Sequence, residues 1–139
     1  MVDKPVVFFD INIILDVLQR RIPFYETSAK LLAFAETGRI QGYCAAHSIT
    51  TLFYLVRKDK STADARTTIT DLLHILQVAP VDHATIERAL NLDYRDFEDA
   101  VQMISAENCG ADFLATRNVK DYKYALLPVI KPVDLLNTL

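Results

Sequence analysis

The sequence predicts a three-layer α/β/α fold built on a mainly parallel central sheet. Three observations carry that prediction. Val6-Val7-Phe8-Phe9 and Phe113-Leu114-Ala115 are continuous apolar runs, as expected of strands covered by helices on both faces rather than of half-exposed strands. Extended and helical stretches alternate along the whole chain, the order of a parallel sheet joined by helical crossovers. Only 3 glycines serve 139 residues, few for an all-β protein with its many tight turns.

The elements follow in order. The first strand, Val6 to Phe9, stops at Asp10, and Asn12 to Leu18 reads as helical turns broken before Pro23. Tyr25 to Glu36 places Ala29, Leu32, Ala33 and Ala35 at helical recurrence, with Gly38 as a stop. Tyr43-Cys44-Ala45-Ala46 is a short second strand, and His47 or Ser48 suits the cap of a helix running through Leu52, Phe53, Leu55 and Val56 to Lys60. Ser61-Thr62-Ala63-Asp64 has the form of a capping box with Asp in place of Glu. It opens a long helix whose inner face is expected to carry Ile69, Leu72, Leu73 and Leu76. Gln77 to Pro80 is a brief extended piece, and Asp82 caps a short helix through Ile86, Ala89 and Leu90. A helix from Asp96 to Asn108 ends at Cys109-Gly110. Phe113 to Ala115 and Val129-Ile130 are further strands, and Pro132 opens a terminal helix. Without a repeat, a low-complexity tract or a linker, residues 1–139 read as one domain.

Composition narrows the function classes. Hydrophobic residues make up 51% and charged residues 24%, which excludes a disordered chain. A formal net charge of −3 means that nucleic-acid binding would need a local basic patch. Cys44 and Cys109 have neither CxxC spacing nor a nearby His pair, so they read as packing thiols of a reducing compartment. No apolar run reaches the ~18 residues of a membrane span, and Met1 to Pro5 lacks the layout of a signal peptide. The expectation is a cytoplasmic protein with no membrane partner.

Three places bring acids to element ends: Asp10 after the first strand, Asp96-Phe97-Glu98-Asp99 at a helix start, and Asp121 shortly after the strand Phe113 to Ala115. In a parallel sheet, strand carboxyl ends and helix amino ends share one edge, so these groups can converge. Clustered carboxylates without a Cys or His pair favour Mg²⁺ or Mn²⁺ over zinc. Each acid also has a purely structural reading. Asp10 suits a helix cap, Asp96 and Asp99 are spaced as a cap and its third helical residue, and Asp121 and Asn118 suit turn caps. Their co-occurrence, not any one of them, points to a site. His47 reads as a cap or packed residue and His74 and His83 as surface or boundary positions, and with no partnered nucleophile there is no triad.

Phe9-Asp10-Ile11-Asn12-Ile13-Ile14-Leu15-Asp16 resembles the opening motif of PIN-domain ribonucleases. Asp96 to Gln102 is similar to that family's central acidic helix start, and Thr116-Arg117-Asn118-Val119-Lys120-Asp121-Tyr122 to its closing motif. The three stand in family order across nearly the whole chain and look most like VapC-like toxins of type II toxin–antitoxin pairs. The resemblance implies a Mg²⁺- or Mn²⁺-dependent endoribonuclease, homodimeric and inhibited by a cognate antitoxin. It implies Asp10, Asp99 and Asp121 as catalytic metal ligands, with Asn118 completing or orienting the site, Asp96 as an accessory acid and Asn12 holding the Asp10 loop. Arg117 and Lys120, inside the third motif, would grip RNA phosphates. Arg57, Lys58 and Lys60 have a sufficient structural reason at a helix end. One departure stands out: Thr51 occupies about the position where relatives carry a further acid, so the site holds less negative charge.

Two other readings follow from the same residues. Thr51 motivates a catalytically weak PIN domain acting as an RNA- or protein-binding module. An aspartyl-phosphate enzyme using Asp10 would want a second Asp where this chain has Asn12. The aromatics Phe24, Tyr25, Phe34, Phe53 and Tyr54 border helices between which an antitoxin helix is expected to dock.

Overall fold

A computed structural model describes residues 4–139. Five strands form one sheet in the order β3-β2-β1-β4-β5, every neighbouring pair parallel. They are β1 (Val6–Phe9), β2 (Gln41–Ala45), β3 (Leu76–Ala79), β4 (Phe113–Ala115) and β5 (Val129–Ile130). The helices are α1 (Ile11–Leu18), α2 (Tyr25–Glu36), α3 (Ala46–Asp59), α4 (Thr62–Ile75), α5 (His83–Leu90), α6 (Phe97–Asn108) and α7 (Pro132–Thr138). Among the described residues, no helix is long and apolar enough to cross a membrane.

Strand alternation sorts the core into two layers. Val7 and Phe9 join Ile13, Ile14, Leu31, Leu52, Leu72 and Leu135 on one face, from α1, α2, α3, α4 and α7. Phe8 turns the other way, to Met103 and Ala106 of α6 and to Leu114 and Tyr122. Both faces of β1 are thereby covered, which explains its unbroken apolar run. Each fully buried phenylalanine contributes about 1.5–3 kcal/mol. Cys44 is a free thiol within this core, and burial pushes it up to about 12. A Cβ at Gly42 would stand 2.6 Å from Leu76 Cδ2 and 3.1 Å from Phe9 Cε1, so only glycine lets β2 approach its neighbours this closely.

Three local expectations are corrected. The extended piece at Gln77 begins at Leu76 and pairs with β2 as a full edge strand. Helix α3 starts at Ala46 behind the N-cap Ala45, which has no side-chain cap bond, so His47 and Ser48 lie in the first turn instead of capping it. Leu73 is 52% exposed, because the face of α4 that meets the core is centred on Ala65 and Leu72.

Strand β1 has β2 and β3 on one side and β4 and β5 on the other, so the direction of winding reverses between β1 and β4. Crevices beyond the strand carboxyl ends at such a reversal are where α/β proteins bind ligands. Asp10 follows β1 there and Thr116 follows β4.

Candidate active site at the carboxyl edge of the sheet

Asp10 enters the site because β1 ends on it. Its N–H still donates to the Ala115 carbonyl at 3.0 Å, continuing the ladder. As the N-cap of α1, its carboxylate accepts from the Asn12 N–H at 3.0 Å. Capping does not exhaust it. The side chain is buried, and its second oxygen accepts from the Thr116 hydroxyl at 2.8 Å and the Tyr122 hydroxyl at 3.0 Å. A carboxylate held away from water needs such donors.

Asp99 arrives from the other side of the sheet. Asp96 caps α6 by accepting from the Glu98 N–H at 2.9 Å, which sets the first turn and turns Asp99 toward the crevice. Asp99 Oδ1 lies 3.3 Å from the Tyr122 hydroxyl and receives a long 3.5 Å bond from Gln102 Nε2. Gln102 is itself buried: Nε2 donates to the Tyr122 hydroxyl at 2.9 Å, and Oε1 accepts the Ile11 N–H at 3.1 Å. One hydroxyl therefore joins two carboxylates drawn from opposite layers.

The electrostatics follow from that crowding. Burial pushes the Asp99 carboxyl up to about 7, reinforced by the negative charges of Asp10, Asp96 and Asp121 and opposed by the Tyr122 hydrogen bond. Tyr122 has one proton to offer two carboxylates, so a protonated Asp99 suits the geometry. Glu98 is also raised, by burial first and then by Asp96 and Asp10. Burial and the two carboxylates push the Tyr122 phenol far up, keeping it a neutral hydroxyl.

Asp96, Asp99 and Asp121 line one cleft, with Arg95, Lys120 and Lys123 beside them. Asp121 is exposed and reaches Asp99 through charge rather than contact. The Asn118 N–H donates to the Thr116 hydroxyl at 3.2 Å, and the residue precedes the 3-10 turn Val119–Asp121 without the side-chain cap bond expected of it. Asn12 bonds Asp10 through its backbone, while its side-chain oxygen accepts from Arg21 at 3.5 Å. Thr51 turns back on its own helix, its hydroxyl donating to the His47 carbonyl at 3.4 Å.

The two cations of the third motif separate. Lys120 is exposed beside the acids. Arg117 instead pairs with the fully buried Asp16 at 3.2 Å and stacks on Phe24, its guanidinium 4.2 Å from the ring centroid. Its charge is already partnered by protein.

Sequence reading singled out neither Thr116, Gln102 nor the hydroxyl of Tyr122. Gln102 left the clearest trace, a polar side chain between Val101 and Met103 on a helix whose buried face spans Ala100 to Ala106.

A hard divalent cation suits this donor set. Among the described residues, no three acidic, His or Cys side chains stand together as a ready ligand group. Asp10 and Asp99 do supply two carboxylates, and Mg²⁺ is commonly held by one or two, with water and substrate phosphate completing the shell. Among the described residues, no Lys or Arg forms an ion pair with Asp10, Asp96, Asp99 or Asp121. The cluster's negative charge has no protein counter-ion in contact.

Comparison with known proteins places the chain in a family. Ribonuclease VapC1 of Aquifex aeolicus (strain VF5) is 25% identical over 122 residues, covering 84% of this chain and 83% of that protein. Among solved structures, a toxin–antitoxin complex from Klebsiella pneumoniae superposes with a TM-score of 0.69 at 20% identity, covering 91% of this chain and 97% of that one. VapC20 of Mycobacterium tuberculosis, a toxin that cleaves the sarcin–ricin loop, superposes at 0.61 with 16% identity over 78% of this chain and 86% of its own. Residues 6–120, all three acidic motifs except the last of their acids, match the PIN domain family, and the chain belongs to that family.

Proposed function

We propose that this PIN domain is a metal-dependent endoribonuclease, the toxin of a toxin–antitoxin pair. The observation that carries the reading is the convergence of Asp10 and Asp99 on one hydroxyl at the carboxyl edge of the sheet. The ribonuclease and toxin descriptions of the relatives support it.

Asp10 and Asp99 would hold Mg²⁺ or Mn²⁺, with Asp121 completing the set from the cleft mouth. The ion would supply a lowered pKa for a bound water and charge neutralisation on the scissile phosphate. The chain's own groups do the rest. Thr116, Tyr122 and the Asn12 N–H keep Asp10 in one orientation. Asp121, exposed, can take the proton from the attacking water. Lys120, with Arg95 and Lys123 on the same cleft, meets the phosphates of the RNA strand. Arg117 is set aside as a phosphate ligand, because Asp16 and Phe24 already occupy its guanidinium.

An antitoxin helix would lie on the helical layer, where Leu15, Leu18, Leu55 and Val56 line one side of a small pocket rimmed by Gln19, Asp59, Lys60 and Thr68, and Tyr54 is exposed nearby in sequence. A homodimer is part of the same proposal. The rival reading, a binding module with little turnover, rests on Thr51, whose hydroxyl is spent on the His47 carbonyl. Incubating purified protein with single-stranded RNA and Mg²⁺ or Mn²⁺ decides between them. Internal cleavage that EDTA stops and added metal restores is expected; RNA binding without cleavage at any metal concentration favours the module.

A further inference from the structure

We infer that the Tyr122 hydroxyl, braced by Gln102, is a positioning group that decides which carboxylate oxygens of Asp10 and Asp99 face a bound divalent cation. The inference rests on the metal-site reading above and deepens it.

An ionised carboxylate offers about four lone-pair sites on two oxygens. On Asp10, Oδ2 takes both the Thr116 and Tyr122 hydroxyls, while Oδ1 takes only the Asn12 N–H. On Asp99, Oδ1 faces Tyr122 and Gln102, and Oδ2 accepts no bond among the described residues. Asp10 Oδ2 is therefore spent, and Asp99 Oδ1 shares the one Tyr122 proton with it and keeps the long Gln102 bond, so Asp10 Oδ1 and Asp99 Oδ2 are the oxygens freest to meet an ion. A phenylalanine at 122 would fill the same buried space and make the same edge-on contact with Tyr94, whose ring centroid lies 6.2 Å away. Packing alone thus gives no reason for the hydroxyl.

Gln102 explains why the hydroxyl stays put. Its Nε2 donates to Tyr122 at 2.9 Å, so the Tyr122 proton is directed away from Gln102 and toward the carboxylates. Its Oε1 is anchored on the Ile11 N–H at 3.1 Å, one residue past Asp10. The chain Ile11, Gln102, Tyr122, Asp10 closes a ring of hydrogen bonds across the sheet edge. Outer groups of this kind orient ligands and commonly change metal affinity by about 10–100-fold when removed.

The test is Mn²⁺ binding to the full chain, by titration calorimetry and by the paramagnetic resonance signal of free Mn²⁺, with thermal melting measured in EDTA. Tyr122→Phe is expected to weaken Mn²⁺ binding by about 10–100-fold while still melting cooperatively in EDTA. Gln102→Met, which removes the brace and keeps the volume, is expected to weaken it less and serves as the test if Tyr122→Phe does not fold. A hydroxyl with only a structural role would move the melting temperature and leave Mn²⁺ affinity alone, and that result overturns the inference while the metal-site reading stands. Wild-type protein that binds no Mn²⁺ overturns both.

Discussion

Asp10 and Asp16 stand less than two helical turns apart, both deeply buried, 3% and 0% exposed, and they are treated in opposite ways. Asp16 is met by cations: Arg117 at 3.2 Å and Arg21 at 3.8 Å, with the Ser28 hydroxyl at 3.3 Å. Burial pushes its carboxyl up, and Arg117, Ser28 and Arg21 pull it part of the way back. Asp10 is met by neutral donors and by further acids. The chain delivers two arginines to one buried acid and none to the other so close by, which is the contrast that the proposed metal site rests on. The Asp16 pair ties the third-motif loop to α1 and α2; Asp10 belongs to the proposed site.

The largest expected effect tests the second half of that contrast. Asp10→Asn and Asp99→Asn should each lower RNA cleavage by about 10²–10³-fold or more with an unchanged circular dichroism spectrum, Asp10 being the more damaging because it is the more deeply buried and the more fully held by donors. Cleavage at a tenth of the wild-type rate would erase the distinction between the two aspartates. Asp16→Ala tests the first half. It strands Arg117 against Phe24 and should cost about 3 kcal/mol in urea unfolding, the lower end for a broken buried pair because Arg117 keeps some solvent. A loss below about 0.5 kcal/mol would mean that the pair is ornamental.

The next effect is on pH dependence. The folded-state pKa of Asp99, about 7, lies above its ordinary value near about 4. Between those limits the native state holds a proton that the unfolded chain has lost. The stability this group contributes is full below about pH 4 and is lost as pH rises to about 7. Metal-free Asp99→Asn should lack that decline and exceed the wild type at pH 8 by roughly 1–2 kcal/mol, after allowing for solvent screening. Parallel stability–pH curves for the two proteins would show that Asp99 is not strained by its neighbours. The smallest effect separates the third-motif cations: Lys120→Ala should weaken RNA binding by about 2–5-fold and reduce the salt slope by about one. Arg117→Ala should appear chiefly in stability, and the reverse pattern would return Arg117 to the RNA.

Much of the architecture is legible in local sequence because its causes are local. The span of α2, the strands Phe113–Ala115 and Val129–Ile130, the Ser61 and Asp82 caps and the glycine stop at Gly110, with φ of 71°, each rest on residues within one or two turns of each other. The motif acids Asp10 and Asp99 are legible for the same reason, since each sits at an element end that its neighbours define.

What the sequence by itself determined is therefore most of the elements, the parallel sheet and the acids placed at one edge of it. Tertiary structure alone decided how those acids are partnered. It separated Arg117 from Lys120, because only the folded position of α1 brings Asp16 under one and not the other. It made Leu76 to Ala79 a strand by pairing it with β2, and it turned Leu73 outward. It placed the Tyr122 hydroxyl between Asp10 and Asp99, and a glutamine from the middle of α6 behind it. The physical reason is common to all of these. A side chain's hydrogen-bond and charge partners, across sequence separations such as the 112 residues between Tyr122 and Asp10, depend on which elements cross, and periodicity and capping do not record that crossing.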